Sequence, residues 1–382
     1  MSERFDPAGF KARIDTVLHE LLAREAEQLC AIDDALAPVA GQLRAAAGHG
    51  KRLRAAFCYW GWRAAGQPDS DPLVRAAASM ELVHAAAVVH DDLIDDSPLR
   101  HELPTVHVAL RAAVAGRPGA GAAARALAML VGDHLMALAG QLFATSGLPA
   151  AYLARARPMW ADLARELIAG ECLEILNTGA EPDPLVSLKV VRYKTAKYTV
   201  EHPLLIGALL AGATARLRAG LSAYGLPLGE AFQLRDDLLG LFGEPGRTGK
   251  ASLDDIRGRR PTALLAVTWR AAPPAQRERL AGLLGRPDLT ADHLREVREL
   301  MTALKAPDQV EDMIASRVRP DERAHAADSL PHPGRDPQLP LAARPPRGRQ
   351  PAHRARLLGG EAPAADHAPA PLAPAAPRGR AP

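Results

Sequence analysis

The 382-residue chain reads as an all-α bundle of packed helices, and three observations carry that expectation. Hydrophobic residues make up 48% of it but aromatic ones only 4%, so the core must be built mainly from Ala, Leu and Val. Such a composition favours close-packed helices over sheets, where β-branched and aromatic residues would dominate. Helical apolar periodicity runs from about Pro7 to Ser316, and Pro and Gly fall at its breaks.

The elements follow from that punctuation. A first helix is expected over 7–36, opening on Pro7, and a second over 52–65, bounded by Gly50 and Gly66. Gly66-Gln67-Pro68-Asp69 separates it from a long helix over 72–95. Helices over 120–145 and 149–178 come next, the latter opening on Pro149. The segments 185–198 and 203–211 are separated at Pro203, and 215–241 ends at Gly243-Glu244-Pro245-Gly246. Shorter helices are expected over 262–271, 275–284 and 290–305. No internal repeat breaks this into an array.

From about Arg319 the chain changes character. Fourteen of its 33 prolines lie in residues 320–382, amid Ala, Arg, Gly and His. Proline at that density excludes long helices, and large apolar residues are too few for a core. The expected organisation is therefore a helical domain over 1–318 and a disordered tail over 319–382. That composition is also what alternative reading frames of GC-rich DNA encode, so the tail reads as a frame-shift product rather than a partner-binding tail.

Net charge is +3, which gives no argument for nucleic acid. Cys30, Cys58 and Cys172 are few, scattered and odd in number, as in a reducing cytoplasmic setting. The N-terminus shows no apolar signal segment, and even the apolar run 76–89 contains Ser79, Glu81 and His84, so no membrane span is expected.

The chemistry is concentrated in His90-Asp91-Asp92-Leu93-Ile94-Asp95-Asp96. On a helix Asp91 and Asp95 share a face, with Asp92 beside them. A solvated acidic helix end is the plain explanation of a charge run. A second acidic pair, Asp236-Asp237, in another apolar helix argues instead for a carboxylate site inside the bundle, of the oxygen-only kind that suits Mg²⁺. Basic groups complement it: Lys51 and Arg54 one helical turn apart, Arg100, the cluster Arg192, Lys194 and Lys197, and the cluster Lys250, Arg257, Arg259 and Arg260. Arg and Lys both grip phosphate. Together these point to diphosphates held between cations and metal ions.

The ordered set Gly50-Lys51-Arg52-Leu53-Arg54, Glu81-Leu82-Val83-His84, Asp91-Asp92-Leu93-Ile94-Asp95, Pro104-Thr105-Val106-His107, Gly170-Glu171-Cys172-Leu173-Glu174, Tyr193-Lys194-Thr195-Ala196, Gln233-Leu234-Arg235-Asp236-Asp237 and Thr248-Gly249-Lys250 resembles the trans-isoprenyl diphosphate synthases of the polyprenyl synthetase family, over roughly residues 20–315. The resemblance implies an isoprenoid-synthase-type bundle with a central active-site cavity. It implies a cytoplasmic, homodimeric enzyme that joins isopentenyl diphosphate to C5–C15 allylic diphosphates. Ionisation of the allylic carbon–oxygen bond gives a carbocation and pyrophosphate, and Mg²⁺, on the order of three ions with Mn²⁺ as a substitute, neutralises the leaving group.

By the same resemblance Asp91, Asp95 and Asp236 are metal ligands, supported by Asp92 and Asp237. Arg100, Lys194 and Lys250 hold the allylic diphosphate, with Thr195 and Gln233 lining its site. Lys51, Arg54 and His84 hold isopentenyl diphosphate; His84 lies two helical turns before Asp91, on the same face. The chain departs from the family pattern in three places. His101 stands where a second arginine is usual, Gly240 replaces the last carboxylate of the second motif, and Glu171 and Glu174 replace the more usual Gln and Asp. Ala86 and Ala87, five and four residues before Asp91, are small where a bulky aromatic would stop elongation early. That favours geranylgeranyl diphosphate (C20) or a longer product, with the floor set by Met129, Leu130, Leu135 or Met136. A terpene cyclase would not need Lys51, Arg54 and His84, and a non-catalytic partner subunit would be expected to lose its acidic motifs.

Overall fold

The helix carrying the first acidic motif is the centre of the bundle. Helix α4 (Asp71–Ile94) starts with Ser70 capping Leu73 N–H and with Pro72 in its first turn, and buries most of its length. Its small apolar residues, including Ala76, Ala77, Ala78 and Ala86, let neighbouring helices approach closely. The computed structural model describes residues 5–243, 254–286 and 288–318, all within one unit, Met1–Pro333. The expected loop at 244–246, Thr248-Gly249-Lys250 and the tail 319–382 lie outside the described residues.

Around α4 stand α1 (Pro7–Ile32), α2 (Ala37–Ala47), α3 (Leu53–Ala64), α6 (Ala120–Ala144) and α7 (Ala150–Asn177), with the short α5 (Val106–Ala109) beside them. Helix α8 (Pro184–Val190) runs through a π-helical stretch (Val191–Glu201) into α9 (His202–Leu210). Helix α10 (Ala215–Phe242) carries the second acidic pair. The short α11 (Asp254–Arg257), then α12 (Ala263–Ala271), α13 (Pro274–Leu283), α14 (Ala291–Ala303) and α15 (Ala306–Val318), build a second apolar cluster against it.

The helical class holds, and the differences from expectation are local. Helix 7–36 stops at Ile32 because Asp33 turns extended and caps a short 3₁₀ turn, after which α2 forms unanticipated. Pro203 does not interrupt the chain of helices. The preceding π turns shift the bonding to His202 N–H → Lys197 O, and the proline sits in the first turn after that shift. The last expected helix ends at Ala303, Lys305 turns left-handed (φ 55), and a further helix not among those expected, α15, runs over Ala306–Val318, where Arg317 Nε donates to Glu230 Oε2 at 2.7 Å. A two-stranded hairpin, β1 (Leu99–Arg100) with β2 (Leu103–Pro104), was not foreseen; its turn residues His101 and Glu102 both take positive φ.

Among the described residues, two helices, α4 and α6, are long and apolar enough to cross a membrane by length and composition, a measure that a buried core helix also meets. Helix α4 earns its apolarity as the buried core. Helix α6 leaves one face open, with Met129 48% and Leu130 55% exposed.

Candidate active site

One cavity collects the acids and bases of the separated motifs. It is lined by His84, Ala87, Val88 and Asp91 of α4, Arg100 of the hairpin and Arg54 of α3. Glu171 and Glu174 of α7, Lys194, Thr195 and Tyr198 of the π stretch, Gln233, Asp236, Asp237 and Gly240 of α10, Asp255 and Arg260 complete it.

Close backbone packing delivers Lys194. A Cβ on Gly170 would lie 2.2 Å from Lys194 N, and one on Gly229 would lie 2.6 Å from Ala196 O. Only glycine lets α7 and α10 grip the π stretch this tightly. Lys194 Nζ then reaches three carboxylates: Asp91 Oδ1 at 2.9 Å, Glu174 Oε1 at 2.8 Å and Glu171 Oε2 at 3.0 Å. Burial alone would lower its pKa, but Asp91, Glu174 and Glu171 outweigh that and raise it.

The first acidic motif is neutralised one carboxylate at a time. Arg100 clasps Asp92, with Nε at 2.8 Å from Oδ1 and Nη2 at 2.6 Å, and reaches Asp91 Oδ2 at 3.2 Å. Arg260 pairs with Asp95, and with Asp255 at 3.0 Å. Burial pushes Asp91 up, but Lys194, Arg260 and Arg100 overcome it and hold its carboxyl at about 2. Burial and the neighbouring Asp91 charge instead push Asp95 up to about 7, despite Arg260. Burial also raises Asp92, with Arg100 opposing. In the second pair, Gln233 Nε2 donates to Asp237 Oδ1 at 2.7 Å, and Asp236 lines the cavity beside it.

The part of the cavity around Arg54 has a different character. Glu81, buried on α4, accepts Ala55 N–H at 2.9 Å and so caps α3 at its first turn. That fixes the next-door Arg54, which is 8% exposed and donates Nη2 to Tyr198 Oη at 2.7 Å and Thr199 Oγ1 at 2.9 Å. Its guanidinium lies 4.4 Å from the Tyr198 ring centre, and its buried Nε has no hydrogen-bond acceptor. His84 Nδ1 sits 3.3 Å from Tyr198 Oη. Burial, then Arg54, Arg100 and Arg52, hold its pKa well below 6.5, so the ring is neutral.

The structure separates some residues that the sequence put together. Lys51 is not one turn from Arg54: α3 begins only at Leu53, after Arg52 in a left-handed conformation (φ 57). Lys51 is exposed and outside the cavity lining, while Arg52 is buried against Asp15 at 2.7 Å. His101 is likewise exposed, at the hairpin turn, instead of beside Arg100 in the cavity. Of the cluster around Lys194, Arg192 turns away to Glu230 (2.8 Å) and Lys197 to Glu166 (2.8 Å). Of the last basic cluster, Arg257 and Arg259 are exposed and Arg260 faces the cavity. Ala87 lines the cavity, but Ala86 is fully buried in the core, and Met129 and Leu130 point to the surface, so none of these three can meet a ligand in it. Sequence reasoning missed Tyr198, Asp255 and the inward turn of Arg260; the Arg-Pro-Thr step at 260–262 that starts α12 was the available signal.

An all-α bundle that gathers carboxylates and cations into one cavity is the make-up of a helical enzyme of diphosphate chemistry. Residues 40–301 match the family model described as Polyprenyl synthetase. Curated (2E,6E)-farnesyl diphosphate synthases of Mycobacterium bovis and Mycobacterium tuberculosis are 34% identical over 300 residues, covering 74% of this chain and 78% of theirs. A crystal structure of geranylgeranyl pyrophosphate synthase from Corynebacterium glutamicum, complexed with isoprenyl diphosphate and magnesium, has 31% identity and a TM-score of 0.79, over 86% of this chain and 95% of that one. The chain belongs to the polyprenyl synthetase family and is a prenyltransferase of the isoprenyl diphosphate synthase class.

Proposed function

We propose that this enzyme is a Mg²⁺-dependent trans-prenyltransferase that joins isopentenyl diphosphate to C5–C15 allylic diphosphates and releases geranylgeranyl diphosphate (C20). The observation that carries this reading is the division of one cavity into two anion-binding walls. Carboxylates and their clasping cations line one wall, and Arg54 with His84 lines the other. A terpene cyclase, with a single diphosphate to bind, has no use for the second wall.

The acidic wall suits Mg²⁺ by its donor chemistry. Asp91, Asp236 and Asp237 of the lining, with Asp95 held on Arg260, offer only hard oxygens. Among the described residues no three His, Cys, Asp or Glu groups form a ready ligand set; Asp91 is turned onto the Lys194 ammonium and Asp95 onto the Arg260 guanidinium. Asp91, Asp95 and Asp236 would hold the metal, which supplies Lewis-acid neutralisation of the departing diphosphate. Arg100 and Lys194 would orient the allylic diphosphate, with Lys250, outside the described residues, as a further cation. Arg54 has neutral partners and a spare Nε–H, so its charge is free to bind the diphosphate of isopentenyl diphosphate. Neutral His84 can donate a hydrogen bond there. Val88, Leu167, Val190 and Val191 keep water from the carbocation.

Product length rests on Ala87, the small residue of the cavity wall four before Asp91, and on the likeness to the Corynebacterium glutamicum enzyme. The same small residue supports a second reading, a longer polyprenyl product. Product analysis with labelled isopentenyl diphosphate and C5, C10 and C15 primers tests both. Ala87→Phe should shorten the product by filling the path beneath Asp91, and an unchanged distribution would refute that path. Ala86→Phe, by contrast, should cost stability through overpacking, on the order of 1–3 kcal/mol. The open face of α6 supports homodimerisation; a monomeric mass in light scattering would contradict it.

A further inference from the structure

Arg260 is the cavity cation to which the roles above assign nothing. Its guanidinium bridges carboxylates from two separate elements, Asp95 at the end of α4 and Asp255 of α11. The turn that presents it is held from several sides. Arg259 takes φ 51, its carbonyl accepts Gly179 N–H at 3.3 Å, Arg260 N–H donates to Asp255 O at 3.1 Å, and Ser187 Oγ donates to Thr262 O at 3.3 Å. Pro261 follows directly, so the backbone has little freedom to carry the side chain away. The side chain itself is 19% exposed.

We propose that Arg260 is an internal stand-in for a divalent cation: it neutralises Asp95 while metal is absent, and yields that carboxylate when metal and diphosphate enter together. The inference rests on the reading of Asp95 as a metal ligand. A guanidinium and a divalent ion on one carboxylate repel each other strongly in a partly desolvated cavity. Lysine could relieve that conflict by losing its proton, but arginine stays charged and has to move. Asp255 can keep one end of the planar fork, and the Nη2 end released from Asp95 is then free to donate to the incoming diphosphate. Metal and diphosphate should therefore strengthen each other's binding, and Arg260 should carry part of that coupling.

The experiment is a titration of the whole protein with Mn²⁺, following free Mn²⁺ by electron paramagnetic resonance, with and without inorganic diphosphate and corrected for Mn²⁺ held by diphosphate in solution. Arg260→Gln should bind Mn²⁺ alone about fivefold more tightly than the unaltered protein, because the competing charge is gone, and should lose a similar factor of the strengthening by diphosphate. Arg260→Lys keeps the charge and should stay near the unaltered protein in Mn²⁺ affinity. Unchanged or weaker Mn²⁺ binding by Arg260→Gln, or Arg260→Lys binding as tightly as Arg260→Gln, would overturn the proposal. If Arg260→Gln does not fold, the unaltered protein still decides: Mn²⁺ and diphosphate that bind independently also overturn it. Failure of the underlying metal site looks different, with Asp91→Ala and the unaltered protein binding Mn²⁺ equally when diphosphate is present.

Discussion

The two walls of the cavity handle charge in opposite ways. On one, every described cation is clasped by acids: Lys194 by Asp91, Glu171 and Glu174, Arg100 by Asp92 and Asp91, Arg260 by Asp95 and Asp255. On the other, Arg54 is held by two hydroxyls and an aromatic face, none of which cancels its charge. Under the proposed roles the first wall would have to give up its internal pairs to a ligand, whereas Arg54 has no acid to give up. Substituting residues on one wall should thus disturb metal and turnover, and on the other the affinity for one substrate.

The largest effect should come from the acidic wall. Asp91→Ala or Asp236→Ala should cut turnover by about a thousandfold or more, since each removes a proposed ligand for the charge that builds on the leaving group. Near-normal turnover in a folded Asp91→Ala protein would remove the basis for that wall. Arg54→Ala should raise KM for isopentenyl diphosphate by roughly ten- to a hundredfold while affecting the allylic substrate less. Lys51→Ala, exposed and outside the lining, should change either KM little. A KM pattern reversed between these two variants would show that the walls have been assigned wrongly.

Smaller effects report on stability. A chain ended after Val318 should keep the melting temperature and helical content of the full protein. One ended after Ser316 loses Arg317, one of the two arginines on the buried Glu230, and should be less stable by about 1 kcal/mol, since Arg192 stays in place. Equal melting of the two truncated chains would show that this ion pair adds nothing. The pH response should be smaller still, and its sign differs within one motif. Asp95 is raised from 3.8 to about 7, so the folded protein binds the extra proton and metal-free stability falls as pH rises through that window. Asp91, lowered to about 2, contributes stability that is lost only as pH falls from 3.8 towards 2. Mg²⁺ should accordingly raise the melting temperature more at pH 8 than at pH 5.5, and Asp95→Asn should flatten that difference.

Much of what α4 contributes to the cavity was legible because its spacing is a property of helices: Asp91, His84 and Ala87 share a face whatever surrounds them. The basic residues were harder to read. Gly50-Lys51-Arg52-Leu53-Arg54 has the look of one helical turn, yet the helix starts within it, and that start sends Lys51 outward and Arg52 into an ion pair with Asp15. Arg257, Arg259 and Arg260 are neighbours in sequence, but a single left-handed residue decides which of them enters the cavity. Long side chains and non-helical turns carry no periodicity, so their direction is settled by tertiary contacts. The same holds for Met129 and Leu130, whose apolarity suggested a tunnel floor and which the packing of α6 turns to the surface.

The two glycines that grip the π stretch have a consequence for how such a site can vary. Because Gly170 and Gly229 set the gap at backbone thickness, the position of the Lys194 main chain is a matter of steric gauge, independent of which acids surround its ammonium. Glu171 and Glu174 can thus differ from the common Gln and Asp without displacing the anchor, so the electrical tuning of this pocket is decoupled from its mechanical alignment. A side chain at either glycine would have the reverse outcome: every charge kept, and the alignment gone.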